Sequence, residues 1–185
     1  MASSVLLYLI RHGRASAGFA EASDPGLDEV GRAQAEAVAQ ELASLGPLPL
    51  ITSPLRRTRE TAAPLEMRWE RTARIEPAVA EIPTPTADLQ ARTDWLHQAL
   101  RGRWSDLPAD YQDWRERVAA ALIALGTPTV VTTHFVAINA AVSVATRDDR
   151  MVCFEPDHCS CTVLEVVDRT LRVVTLGRQR ATQIR

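Results

Sequence analysis

The chain has no lysine: all 21 of its basic residues are arginine. This excludes a Schiff-base lysine and a Walker-type phosphate loop, both of which require one. Net charge is almost absent too. The 21 basic residues stand against 23 acidic ones and leave −2. No global field then draws the chain to nucleic acid or to an anionic membrane, and neither is expected as a partner. Long apolar runs are missing. The run at 5–10 is too short for the core of a secretory signal, and no basic segment precedes it, so a cytoplasmic location is expected. The uncharged stretch 127–146 holds Pro128, His134 and Asn139 and divides more naturally into a strand and a helix than into a membrane span. Cysteine is scarce and clustered: Cys153, Cys159 and Cys161, with His158 beside them. A zinc site would take paired close spacings from two separated segments. The three thiols therefore read as structural, in a reducing compartment, and neither a metal nor a cofactor is expected.

What is present suits an ordinary globule. With 185 residues, 46% hydrophobic and 24% charged, the chain is long enough to bury a core, and one domain over 1–185 is expected. An apolar strand at 5–10 runs into Arg11-His12-Gly13. A polar loop follows, then a helix capped by Asp28 and running through Ala35, Val38 and Leu42 to a stop at Gly46-Pro47. A second strand at 48–52 leads into Ser53-Pro54, read as the N-cap and first position of a helix that fades at 67–70. A short strand is expected at 73–76. Between 82 and 110 the pattern loosens around Pro83, Pro85 and Pro108, with a short helix at 87–100. This segment reads as a small cap inserted over the sheet. A helix at 110–125, a strand at 129–133, His134 and an alanine-rich helix come next. Strands at 161–167 and 171–176 close the pattern, and a polar, mobile tail is expected from 178.

Such alternation predicts a three-layer α/β/α sandwich, with a mainly parallel sheet and an antiparallel edge strand. Ligands of such sheets bind beyond the carboxyl ends of the strands. Arg11-His12, Ser53 to Arg57, Glu81 and His134 each follow a strand and should share one edge. The chemistry suits phosphate. Guanidinium groups hold oxygens, an imidazole can attack phosphorus, and Gly13 lets the backbone approach closely.

With these residues in place, the chain resembles the histidine phosphatase superfamily, also called the phosphoglycerate mutase-like family, over nearly its whole length. Arg11-His12-Gly13 resembles the family's Arg-His-Gly signature. The run from Leu27 to Ala35 is similar to its Leu-Thr-x-x-Gly-x-x-Gln-Ala helix start, with Asp28 in place of threonine. The run Ser53-Pro54-Leu55-Arg56-Arg57-Thr58-Arg59-Glu60-Thr61-Ala62 is close to its Ser-Pro-Leu-x-Arg-x-x-x-Thr-Ala motif. Ala80-Glu81-Ile82 and Thr132-Thr133-His134 resemble the segments carrying its acidic proton donor and second histidine. Two residues depart: Phe135 where the family usually has glycine, and Arg14 where it often has glutamate. The short chain is similar to the small bacterial members rather than to the glycolytic mutases.

The resemblance implies metal-independent phosphomonoester hydrolysis in two steps. Neutral His12 is the nucleophile. Arg11, Arg57 and a protonated His134 bind the phosphoryl oxygens. Glu81 gives a proton to the leaving group and then activates water, with Glu76 the other nearby carboxylate. A hydrogen bond from the second ring nitrogen of His12 to a backbone carbonyl should fix its tautomer. Ser16 is a further possible donor to phosphate. Arg56 and Arg59 read as solvated helix residues, and Trp95 and Trp104 as packing. The substrate is a phosphorylated small molecule or a phosphoprotein, selected by the walls at 14–21 and 82–110. A phosphomutase using the same residues and a phosphate-binding module without turnover are the alternatives.

Overall fold

A computed structural model describes residues 4–18 and 21–180. Phe19 and Ala20, in the expected substrate wall, and 181–185, in the expected mobile tail, lie outside the described residues. Strand β1 (Ser4–Arg11) is followed by helix α1 (Glu29–Leu42), strand β2 (Leu50–Thr52), helix α2 (Arg56–Trp69) and strand β3 (Arg74–Ile75). Helices α3 (Leu89–Ala99) and α4 (Ala109–Ile123) then lead to strand β4 (Thr129–Thr133), helix α5 (Phe135–Thr146), and strands β5 (Cys161–Val167) and β6 (Thr170–Thr175).

The sheet runs β3-β2-β4-β1-β5-β6. β4 is inserted between β1 and β2 and is parallel to both. β5 is antiparallel to β1, and β6 is antiparallel to β5. β5 and β6 form an antiparallel hairpin on one side of the parallel strands, so the edge strand β6 is antiparallel to its neighbour, as expected.

Strand alternation divides the core into two layers. Leu7 and Leu9 of β1 and Val131 of β4 pack with Val118 and Leu122 of α4 and with Ile138 and Ala141 of α5. Ile10 and Val130 point the other way, onto Val38 and Leu42 of α1 and Leu65 and Trp69 of α2. Helices therefore cover both faces, the layered architecture expected. Trp104 is fully buried and stacks on Trp114, their centroids 6.0 Å apart, while Trp95 lies on Tyr111 at 5.0 Å. Both expected packing tryptophans pack. No helix among the described residues is long and apolar enough to cross a membrane.

Three local expectations are corrected. α2 begins at Arg56 with Leu55 as its N-cap, so Ser53 and Pro54 precede the helix. The Ser53 hydroxyl bonds the His134 ring and accepts from the Leu55 N–H instead of capping. The segment 178–180 is pinned by backbone bonds from Asp157 N–H to the Arg178 carbonyl (2.8 Å) and from Arg180 N–H to the Glu155 carbonyl (3.0 Å), and does not behave as a mobile tail. The strands at 48–52 and 73–76 are shorter than expected, three and two residues.

The loop after β1 is fixed at its base. Asp28 caps α1 through the Gly31 N–H and pairs with Arg14 at 2.6 Å. Its carboxylate is held below the ordinary range, chiefly by the Gly31 N–H bond. Gly31 lies where two backbones meet. A Cβ there would overlap the Arg14 carbonyl oxygen, and one on Gly13 would lie 2.6 Å from the Gly31 carbonyl oxygen. Neither obstacle is a movable side-chain end, so Gly31→Ala should destabilise by about 2–3 kcal/mol. Thermal unfolding should show a loss of roughly 4–12 °C. An unchanged midpoint would mean that the loop has room to retreat.

Candidate active site

The carboxyl ends of β1, β4 and β2 lie side by side and deliver Arg11-His12, His134 and Ser53. The chain after β3 brings Glu81 to the same edge, and α2 presents Arg57. A cavity of about 540 Å³ opens there, lined among others by Arg11, His12, Arg57, Glu81, Phe135 and His158.

His12 is fixed on every side. Its N–H donates to the Thr133 carbonyl at 2.9 Å. Its ring Nδ1 meets the Gly13 carbonyl at 2.8 Å. A carbonyl can only accept, so Nδ1 carries the proton and Nε2 presents a lone pair. The Arg57 Nε–H donates to that lone pair at 3.2 Å. Burial, then Arg57 and Arg11, push the His12 imidazole well below its ordinary pKa. It is therefore neutral at physiological pH, the form that can attack.

His134 is fully buried, with its ring centroid 5.3 Å from that of His12. An Arg57 Nη2–H donates to its Nδ1 at 3.2 Å, which leaves the ring proton on Nε2, donated to the Ser53 hydroxyl at 2.7 Å. Burial, followed by His12 and Arg57, depresses its pKa as well. These surroundings hold the ring toward its neutral form, and a dianion placed beside Arg11 and Arg57 would oppose that shift.

Arg11 donates to the Pro156 carbonyl at 2.8 Å, and its guanidinium lies over the Phe135 ring at 5.2 Å. Burial first, then Arg180, lowers its pKa to about 10, so it remains a cation. Its Nε is buried without a hydrogen-bond partner among the described residues. Arg57 is buried as well; Glu81 acts on it across the site, and the exposed Asp24 carboxylate lies 4.0 Å away. Two guanidinium groups thus sit in low dielectric beside a carboxyl group whose own pKa is raised, the electrostatic condition of an anion site.

Glu81 accepts from the Ile82 N–H at 3.0 Å and, more weakly, from the Val136 N–H in the first turn of α5 at 3.5 Å. Burial raises its pKa in spite of those bonds and of Arg57 and Arg11. Glu76 is engaged elsewhere, with Arg74 and the Ala78 N–H, and does not line the cavity. Ser16 does line it, as do both departing residues, Arg14 and Phe135. Arg56 pairs with Glu60 on the surface, and Arg59 does not line the cavity either. Among the described residues no group of three or more His, Cys, Asp and Glu is arranged to hold a metal ion. The cysteine thiols are all pushed up by burial, Cys153 to about 11 and Cys159 and Cys161 to about 12. They are poor nucleophiles.

Two contributors escaped the sequence reading. Thr61 accepts from the Gly13 N–H at 3.0 Å and donates to the Arg57 carbonyl at 2.7 Å, joining nucleophile loop to clamp helix. Its position four residues after Arg57 was the available signal. His158 lies with its ring centroid 5.7 Å from that of His12 and its Nδ1 3.0 Å from the His12 carbonyl oxygen.

Comparison with known proteins gives the fold and the family. No curated protein matches the chain significantly. Among solved structures, mycobacterial glucosyl-3-phosphoglycerate phosphatase is similar at a TM-score of 0.72 and 20% identity, over 96% of this chain and 100% of that one. Phosphoserine phosphatase from Entamoeba histolytica, in complex with 3-phosphoglyceric acid, is similar at 0.73 and 18%, over 95% and 98%. At these identities the likeness shows the fold. The family profile described as histidine phosphatase superfamily (branch 1) matches residues 7–179, and the chain belongs to that family.

Proposed function

We propose that this protein is a phosphatase that hydrolyses phosphomonoesters through a phosphohistidine on His12, without a metal, and that residues 1–185 form one domain with 82–110 as a cap. The observation that carries the reading is the locked tautomer of His12. A neutral imidazole presents Nε2 to a cavity that also holds two buried guanidinium groups and a carboxyl group with a raised pKa.

In the first step Nε2 of His12 attacks phosphorus in line and the P–O bond to the alcohol breaks. Proton donation by Glu81 neutralises the departing oxygen. Arg11 and Arg57 spread their charge over the equatorial oxygens, where the transition state is most negative. The Gly13 carbonyl bond stabilises the cationic, phosphorylated ring. In the second step the Glu81 carboxylate takes a proton from water as its oxygen attacks phosphorus, and the N–P bond breaks to return neutral His12.

The rim favours hydrolysis over mutase chemistry. Arg14, Ser16, Glu21, His97 and Arg180 line the cavity and are exposed, so water reaches the phosphohistidine, which a mutase must prevent. Leu96 and Leu100 of the cap, together with Phe135, form an apolar wall. The similar solved phosphatases are named for phosphorylated small molecules, and we assign this protein the same substrate class.

The test is turnover of p-nitrophenyl phosphate in excess EDTA, with rapid quenching of a radiolabelled substrate. Metal-independent turnover with acid-labile, alkali-stable label on the protein is the expected result. Turnover abolished by EDTA, or turnover without labelled enzyme, would overturn the mechanism.

A further inference from the structure

Apart from His97 on the rim, three imidazoles cluster at the nucleophile, and their lone pairs are not equivalent. On His12 the Nε2 lone pair receives the Arg57 Nε–H, and on His134 the Nδ1 lone pair receives the Arg57 Nη2–H. On His158, Nδ1 lies 3.0 Å from the His12 carbonyl oxygen and must therefore be the protonated nitrogen. Its Nε2 is left with a lone pair and no donor among the described residues, on a ring that lines the phosphate cavity. A bare lone pair facing an anion is repulsive. The same nitrogen carrying a proton makes a charge-assisted hydrogen bond.

From this juxtaposition we infer that His158 is a third phosphoryl-binding histidine, which takes up a proton at Nε2 as a tetrahedral dianion enters and donates it to a phosphoryl oxygen. The inference rests on the phosphate-site reading above and deepens it: His158 adds a charge-assisted donor beside the nucleophile.

The charges around His158 support this order of events. Arg11 and the neutral His12 face it from β1, Arg180 and Asp157 from its own end of the sheet, and Arg57 and Glu81 from across the cavity. With no anion bound, burial and then Arg11 hold its pKa down to about 4, with Arg180 adding to them and Asp157 opposing. A dianion among these groups cancels the cationic repulsion and adds an attraction of its own, and both changes raise that pKa. Proton uptake is thereby coupled to binding. The Nδ1–H bond to the His12 carbonyl stays in place in both states, so protonation need not move the nucleophile.

Sulfate is the appropriate probe, because it remains a dianion across the working pH range and cannot be hydrolysed. Calorimetric titration of the intact protein at pH 7, in two buffers of different ionisation enthalpy, counts the protons taken up. Wild type should take up close to one proton per sulfate. His158→Asn keeps an N–H near the His12 carbonyl and removes Nε2. It should lose most of that uptake and bind sulfate about 10- to 100-fold more weakly at pH 6, the gap narrowing as pH rises. Equal proton uptake in the two proteins would overturn the inference, as would failure of wild type to bind sulfate between pH 5 and 8. Imidazole ¹⁵N spectra of wild type decide the matter should the variant not fold. His158 Nε2 should move to its imidazolium position on adding sulfate, and movement of His12 or His134 instead would overturn it. Sulfate-linked protonation of His158 in a protein that hydrolyses no phosphomonoester would retire the phosphatase reading and leave this one standing.

Discussion

His12→Ala should lower kcat on p-nitrophenyl phosphate by at least about 10⁴-fold, because the variant loses the covalent route and not merely a contact. His134 cannot take over. It is fully buried, does not line the cavity, and its Nε2 carries the proton given to Ser53. His158 keeps its bond to the residue-12 carbonyl, a main-chain group that survives the substitution, and this anchors its ring 5.7 Å from the position of the nucleophile's ring. The arginines remain, so anion binding should persist. Sulfate affinity within a few-fold of wild type, together with lost turnover, would separate loss of the nucleophile from collapse of the site. Single-turnover experiments should show no labelled protein. Residual turnover within tenfold of wild type would end the phosphohistidine mechanism outright, whatever else the cavity binds.

That the principal residues of the site could be read from the sequence has a topological cause. Arg11, His12, Ser53 and His134 each lie at or just beyond the carboxyl end of a strand, and the sheet order sets β2, β4 and β1 side by side. The sequence pattern did not reveal that β4 lies between the other two, and it is this insertion that brings His134 to 5.3 Å from His12. His158 was overlooked for a related reason. It precedes β5, and β5 is antiparallel to β1, with Ile10 paired to Cys161. The amino end of an antiparallel neighbour therefore meets the carboxyl end of β1. A search confined to residues that follow strands passes over it, although the closing strand pair was itself visible. The charge of His134 is not legible in the sequence because it depends on which donor fills each lone pair. The depressed pKa of this ring arises from burial among His12, Arg57 and Arg11, groups that are separated along the chain and meet only in the folded protein. The same dependence explains Ser53, which a local reading makes a helix cap and the fold makes a partner of His134.

Glu81→Gln should divide substrates by their leaving groups. Its effect on kcat/KM reports the first chemical step, in which the carboxyl proton goes to the departing oxygen. An alkoxide needs that proton and p-nitrophenolate does not, so an alkyl phosphate should lose about 10²- to 10⁴-fold in kcat/KM, and p-nitrophenyl phosphate less than about tenfold. The second step needs the carboxylate as base for every substrate. With p-nitrophenyl phosphate the variant should therefore show a burst followed by slow turnover, with phosphorylated His12 accumulating. The pH dependence has a definite sign. Burial raises the Glu81 pKa, and the acid form is the one required, so kcat/KM for the alkyl ester should be held at lower pH and fall as pH rises through that raised value. The fall should be missing for p-nitrophenyl phosphate and missing in the variant. On the acid side His12 stays neutral well below its ordinary pKa, so the nucleophile and the protonated acid coexist over a wide range. The two opposed shifts, an imidazole pushed down and a carboxyl pushed up, come from the same burial. Equal losses on both esters would show that Glu81 is not the proton donor. They would turn attention to a water or a substrate hydroxyl as the acid, and the nucleophile would be unaffected by that change.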